Sequence, residues 1–145
     1  AVLKRMIALG RGSRKAGGGF YEYPEGAPKH LWQGLGQEFP VAEVQPPHDD
    51  LKARFLYAQA NETASCMAEG VIETAEDGDL GAIYGWGFPA WTGGTLSFID
   101  TVGIACFVRE ADRLAQLYGA RFTPSDWLRA KAARGEGFYP APAKA

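Results

Sequence analysis

The stretch from Asp77 to Gly94, DGDLGAIYGWGFPAWTGG, restricts the folds open to this chain more than any other. It is dense in glycine and aromatic residues and lies between two segments of helical pattern. Gly85, Gly87, Gly93 and Gly94 suit left-handed backbone or close approach, and Pro89 pushes Phe88 out of the helical region. Trp86, Phe88 and Trp91 carry too much apolar surface to leave in water, so the stretch is expected to fold back on a core as a tight corner between helices. A ligand loop is the other reading. From Gly85 to Gly94 the stretch supplies no base or metal ligand, which favours the corner.

The flanking segments show helical periods. Leu56, Ala60, Ala64, Met67, Val71 and Ala75 recur at steps of three and four, with Glu62, Glu69, Glu73 and Glu76 on the other side. The spacing predicts a helix from about Leu51 to Asp77, capped by Asp49 or Asp50 and stopped at Gly78. The acidic stripe reads as a solvated face; for Glu62, which stands apart from the other acids, a buried and hydrogen-bonded place is the alternative reading. Asp79 is expected to cap a short helix through Leu80, Ile83 and Tyr84. Leu96, Ile99 and Val102 predict another closed by Gly103, and Ile104 to Tyr118 a longer one ended by Gly119. Arg109 and Asp112 are spaced to pair on its polar side. Thr123-Pro124-Ser125-Asp126 reads as a start with Thr123 as cap, and Gly135 as the stop. Trp127 and Leu128 anchor this last helix, and Phe138 and Tyr139 dock ahead of a disordered tail at 141–145. No period-2 stretch of useful length occurs, so the expected fold is all-α with no sheet.

The front of the chain differs. Val2 to Leu9 is a short helical stripe, and it reads as the end of a helix already under way in a longer protein. Arg11, Arg14 and Lys15 sit among glycines that could hold a phosphate through backbone N–H groups. The strand–glycine–helix context of a nucleotide loop is missing, so a solvated turn docked by Phe20, Tyr21 and Tyr23 is the simpler reading. Five prolines between Pro24 and Pro47 mark an arm, held at Leu31, Trp32, Leu35 and Phe39. The resulting division is 1–49 for the remnant and arm, 50–140 for a helical domain and 141–145 for the tail.

The chemistry searched for is absent at sequence level. Ser65, Ser97, Cys66 and Cys106 have no local base. His30 and His48 lack a second ligand at metal spacing and read as surface residues. Two cysteines make no disulfide framework; both read as buried free thiols. A net charge of -2 gives no general attraction to nucleic acid, and no apolar run approaches a membrane span. Catalytic, cofactor and metal residues are all expected to be none, which leaves a packing or interaction module.

Three motifs carry a family resemblance. Lys15 to Tyr23 (KAGGGFYEY) is similar to the signature that ends the first C-terminal repeat of multifunctional 3-hydroxyacyl-CoA dehydrogenases, of the fatty-acid β-oxidation complex α-subunit type. Arg54 through Gln59-Ala-Asn-Glu-Thr63 to Val71 resembles the start of the second repeat. Asp79 to Gly94 with Phe98-Ile-Asp100 is the most specific match, and Tyr118 to Pro124 continues it. Ser13 and Thr95 depart from the usual glycine and proline or alanine. The resemblance implies a helical fold of the 6-phosphogluconate-dehydrogenase C-terminal type and a cytoplasmic parent enzyme that oxidises 3-hydroxyacyl-CoA with NAD. It places the NAD site and catalytic histidine–glutamate pair in a Rossmann domain outside this chain. Where the first repeat of that family has a catalytic asparagine before an arginine, this sequence has Ala53-Arg54. The implied partners are that Rossmann domain, the first helical repeat and acyl-CoA, with a homodimer possible. The alternatives are an autonomous CoA or acyl-CoA module using Arg11, Arg14 and Lys15, and a structural self-association domain.

Overall fold

The computed structural model describes residues 2–140; the tail expected at 141–145 lies outside them. The chain divides into two compact units, 1–45 and 46–145.

In the first unit, α1 (Val2–Ala8) turns at Gly10 into the basic segment, which closes as a short 3-10 turn at Arg14–Ala16. A two-stranded antiparallel ladder follows, β1 (Tyr21–Glu22) with β2 (His30–Leu31), pairing Tyr21 with Leu31 and Glu22 with His30. The expectation of no sheet is corrected to this extent. Two residues per strand are too few to show a period-2 pattern, and the hairpin is shaped by its turn, where the Ala27 amide meets the Pro24 carbonyl. The unit ends with α2 (Leu35–Glu38), whose Glu38 receives the Arg5 Nε–H at 2.8 Å.

The second unit is helical: α3 (His48–Ala68), α4 (Ala75–Trp86), α5 (Thr95–Val102), α6 (Ile104–Tyr118) and α7 (Asp126–Arg134). Its core is a ring cluster closed by aliphatic side chains. Tyr57 of α3 stacks on Phe107 of α6 at 4.5 Å, and Phe98 of α5 stands edge-on to both. Leu96, Ile99, Leu114 and Leu128 are completely buried around them. Burial pushes the Tyr57 hydroxyl up to about 12.

α5, α6 and the stop at Gly135 lie where the sequence puts them. The long helix does not. α3 stops at Ala68, Gly70 takes φ +73, and the Val71 amide reaches back to the Cys66 carbonyl at 2.9 Å. This is the left-handed closure that glycine permits. The 3–4 spacing of Val71 and Ala75 continues past the break, but Val71 is exposed and Ala75 begins α4, capped by Thr74. Asp49 and Asp50 lie in the first turn of α3 rather than at its cap. α7 is capped by Ser125, two residues after the expected Thr123, because the Ala120–Phe122 turn carries the chain further. Asp112 pairs with Arg129 of α7, not with Arg109, whose guanidinium lies 3.3 Å from Cys106 Sγ. Cys66 is half-buried and Cys106 exposed, so neither thiol is buried as expected.

Two ion pairs join separate helices, one α3 to α6 and the other α6 to α7. Asp50 accepts from Arg113 at 2.6 Å and from the Tyr118 hydroxyl at 2.6 Å; those hydrogen bonds, Arg113's first, hold its carboxyl below the ordinary 3.8. The Arg129 hydrogen bond lowers Asp112 in the same way. A carboxylate lowered in the folded state adds stability above its unfolded pKa and loses it as pH falls through the folded value. The melting temperature is therefore expected to drop in acid. An Asp50→Asn variant melts below the unsubstituted chain at pH 7, and the gap closes below about pH 4. Melting curves taken across that range check this.

Candidate functional site

The corner from Trp86 to Gly94 is built around a carboxylate supplied by α4. The N-cap of α5 is Gly94, which has no side chain to accept from the helix's free N–H groups. Asp79, sixteen residues before the first residue of α5, does so. Its Oδ1 accepts from the Leu96 amide at 2.6 Å, and its Oδ2 from the Ser97 amide at 3.0 Å and hydroxyl at 2.6 Å. Asp79 is buried. Gly94 sits at φ +121 against it, and a Cβ there would lie 2.3 Å from Asp79 Cβ and Cγ. The acid at the positive end of α5 is favourably placed for the helix dipole.

The same carboxylate holds the C-terminal segment. The Tyr139 hydroxyl donates to Asp79 Oδ2 at 2.9 Å. Burial, and then that bond to an anion, push Tyr139 up to about 12. One α5 turn further, Asp100 accepts the Phe138 and Tyr139 amides, each at 2.8 Å. Docking of Phe138 and Tyr139 is thus as expected, with Phe138 against Trp127 at 6.0 Å. Beside this lies an open cleft of about 840 Å³ lined by Ser97, Asp100, Ile104, Cys106 and Tyr139 among others. His30 and His48 are both exposed, as expected, and the Ser97 hydroxyl and amide both donate to Asp79, so the pair caps a helix rather than presenting a nucleophile and its base. Asp79, expected to cap its own helix, is the residue sequence reasoning misplaced. The available signal was Gly93-Gly94 ahead of a strong helix, a start with no cap of its own.

Of the three aromatic residues assigned to the core, only Phe88 enters it, 6.5 Å from the Phe98 ring. Trp86 and Trp91 are 58% and 80% exposed, which corrects the expectation for both. Trp86 lies on the surface with its indole N–H donated to Gln59 at 2.8 Å. Gly87 and Gly93 take positive φ with Gly94, while Gly85 is an ordinary helical residue of α4, and Pro89 precedes the Ala90–Thr92 turn. Glu62 is exposed on α3; the buried polar residues are its neighbours Asn61, which donates to the Thr123 carbonyl at 3.0 Å, and Thr63, which donates to the Gln59 carbonyl at 3.0 Å.

The basic residues near the start are largely engaged. Arg11 donates Nε–H to the Gly19 carbonyl at 3.0 Å, pairs with Glu22 at 3.0 Å and lies 4.2 Å over the Trp32 ring. Arg14 lies over Tyr23 and Lys15 is exposed. The structure therefore uses Arg11 to tie the turn to the hairpin.

A second cleft of the helical unit, about 380 Å³, lies between α3 and the Ala120–Phe122 turn, lined by Leu51, Arg54, Phe55, Ala58, Gln59, Arg121 and Phe122. Among the described residues no helix is long and apolar enough to cross a membrane.

The chain matches no protein-family model. It is similar to the fatty acid oxidation complex subunit alpha of Vibrio cholerae, at 37% identity over 140 residues. The same protein of Vibrio vulnificus is 35% identical and that of Shewanella amazonensis 36% identical. These matches cover 95–96% of this chain and 20% of each relative. Over nearly all of its length, then, this chain is similar to fatty acid oxidation complex α subunits, and it spans about a fifth of the length of the relatives it matches.

Proposed function

We propose that the chain is a non-catalytic, C-terminal helical portion of an NAD-dependent 3-hydroxyacyl-CoA dehydrogenase of fatty-acid β-oxidation. Its work is to pack against and order the part of that enzyme that completes the acyl-CoA site. The observation that carries the reading is the surface of the helical unit. Tyr84, Trp86 and Trp91 are all more than half exposed, on a unit whose interior is otherwise well packed. Apolar surface displayed by a rigid body is surface for another protein part. The relatives' name supports the pathway, and their length supports a larger enzyme around this piece. NAD, on this reading, is held by the rest of the enzyme, and no step of hydride transfer is assigned to residues here.

The test is direct. The isolated chain, purified to homogeneity, is expected to reduce no NAD with 3-hydroxybutyryl-CoA. Turnover that follows the protein through every purification step would overturn the reading.

A further inference from the structure

The cleft between α3 and the Ala120–Phe122 turn has a chemistry that packing alone does not explain. Its floor is Leu51, Phe55, Ala58 and Phe122, and its polar lining is Arg54, Gln59 and Arg121, with no acid among them. Gln59 is held at both ends, accepting from Trp86 and donating to the Phe55 carbonyl at 2.8 Å. Arg54 lies 4.6 Å over the Tyr118 ring, near Asp50, whose oxygens already receive Arg113 and Tyr118. Arg121 is exposed and makes no ion pair among the described residues. A single apolar floor beneath two guanidinium groups is a surface for a molecule that is apolar along its length and negative at one end.

We propose that this cleft binds an amphipathic carboxylate, a medium-chain fatty acid or its equivalent, with the chain along Phe55 and Phe122 and the carboxylate at Arg121 and Arg54. Its volume lies at the lower end of the roughly 300–1,000 Å³ usual for small-molecule sites, enough for one alkyl chain. A docked helix, about 10–12 Å across with its side chains, would overrun it. Guanidinium groups recognise carboxylates through paired N–H donors, and burying the chain supplies the rest. The proposal does not depend on the parent enzyme's activity, because it concerns only residues of the helical unit.

The experiment is an NMR titration of the 145-residue chain with laurate below its micelle concentration. Dodecanol serves as the uncharged comparison and acetate as the anion without a chain. Saturable binding is expected, with amide shifts concentrated at residues 51–59 and 120–122. Dodecanol is expected to bind about tenfold more weakly, and acetate not measurably. Arg121→Gln and Phe55→Ser change exposed residues, so their melting temperatures should match that of the unsubstituted chain. Each is expected to weaken laurate about tenfold. The proposal is overturned if laurate does not saturate, if the shifts fall elsewhere, if dodecanol binds as tightly, or if both variants bind as the unsubstituted chain does. A Phe55-dependent doubling of mass in light scattering without laurate would also overturn it, since a second copy would then be the occupant.

Discussion

Replacing Asp79 with alanine is expected to be among the most damaging single changes in the chain. The substitution strips an acceptor from two amides at the start of α5, from the Ser97 hydroxyl and from the Tyr139 hydroxyl. Hydrogen bonds to a charged group contribute about 1.5–3 kcal/mol each, and buried donors left without partners add a desolvation cost. The contributions share one carboxylate and will not add fully. A loss of about 4 kcal/mol is expected, near the top of the range for point substitutions. For a domain of this size that is a fall in melting temperature of roughly 15–30 °C. Tyr139→Phe, which removes only one of the donors, should cost about 1 kcal/mol. Thermal melts of both variants check the order; equal and small shifts would mean that α5 is held by packing alone.

The second large effect is expected at Phe88. The side chain is 2% exposed and faces Phe98, so Phe88→Ala should cost about 3–5 kcal/mol through lost burial and the cavity left behind. Trp91→Ala, three residues on and larger in volume, should change the isolated chain's stability by less than about 0.5 kcal/mol, because its ring is mostly in water. Chemical denaturation of the two variants side by side gives the comparison.

That pair shows how far the sequence could be read. Phe88 and Trp91 carry the same local signal, a large aromatic in a glycine-rich corner. Their fates differ because Pro89 turns the chain and the Gly87 reversal brings only residue 88 back under α5. A residue's hydrophobicity records what it would gain by burial, not whether its own chain covers it. The regular parts were legible for a physical reason: α5 and α6 have apolar stripes of helical period, and glycines at 103, 119 and 135 end α5, α6 and α7. α3 was overrun because Val71 and Ala75 happen to continue its period beyond Gly70, and a glycine at a helix end outweighs a spacing. Asp79 was misassigned because its partners lie 16 to 60 residues away, and capping rules look only three residues ahead. The cleft under Arg54 and Arg121 was invisible for the same reason. Its two cations belong to segments that meet only when the Phe122 turn packs on α3.

The central claim is that the exposed aromatic side chains of the helical unit serve the rest of a larger dehydrogenase, and a graft tests it most directly. The Vibrio cholerae α subunit would be made in three forms. One carries this chain in place of its matching fifth, one has that fifth deleted, and one carries the chain with Tyr84→Ser and Trp91→Ser. The measured quantity is 3-hydroxyacyl-CoA dehydrogenase turnover against temperature, with the melting of the isolated double variant as control. The predicted result is an active graft, an inactive deletion, and a double variant that loses activity at a lower temperature although its isolated form melts normally. A deletion that keeps full turnover and thermal stability would contradict the account.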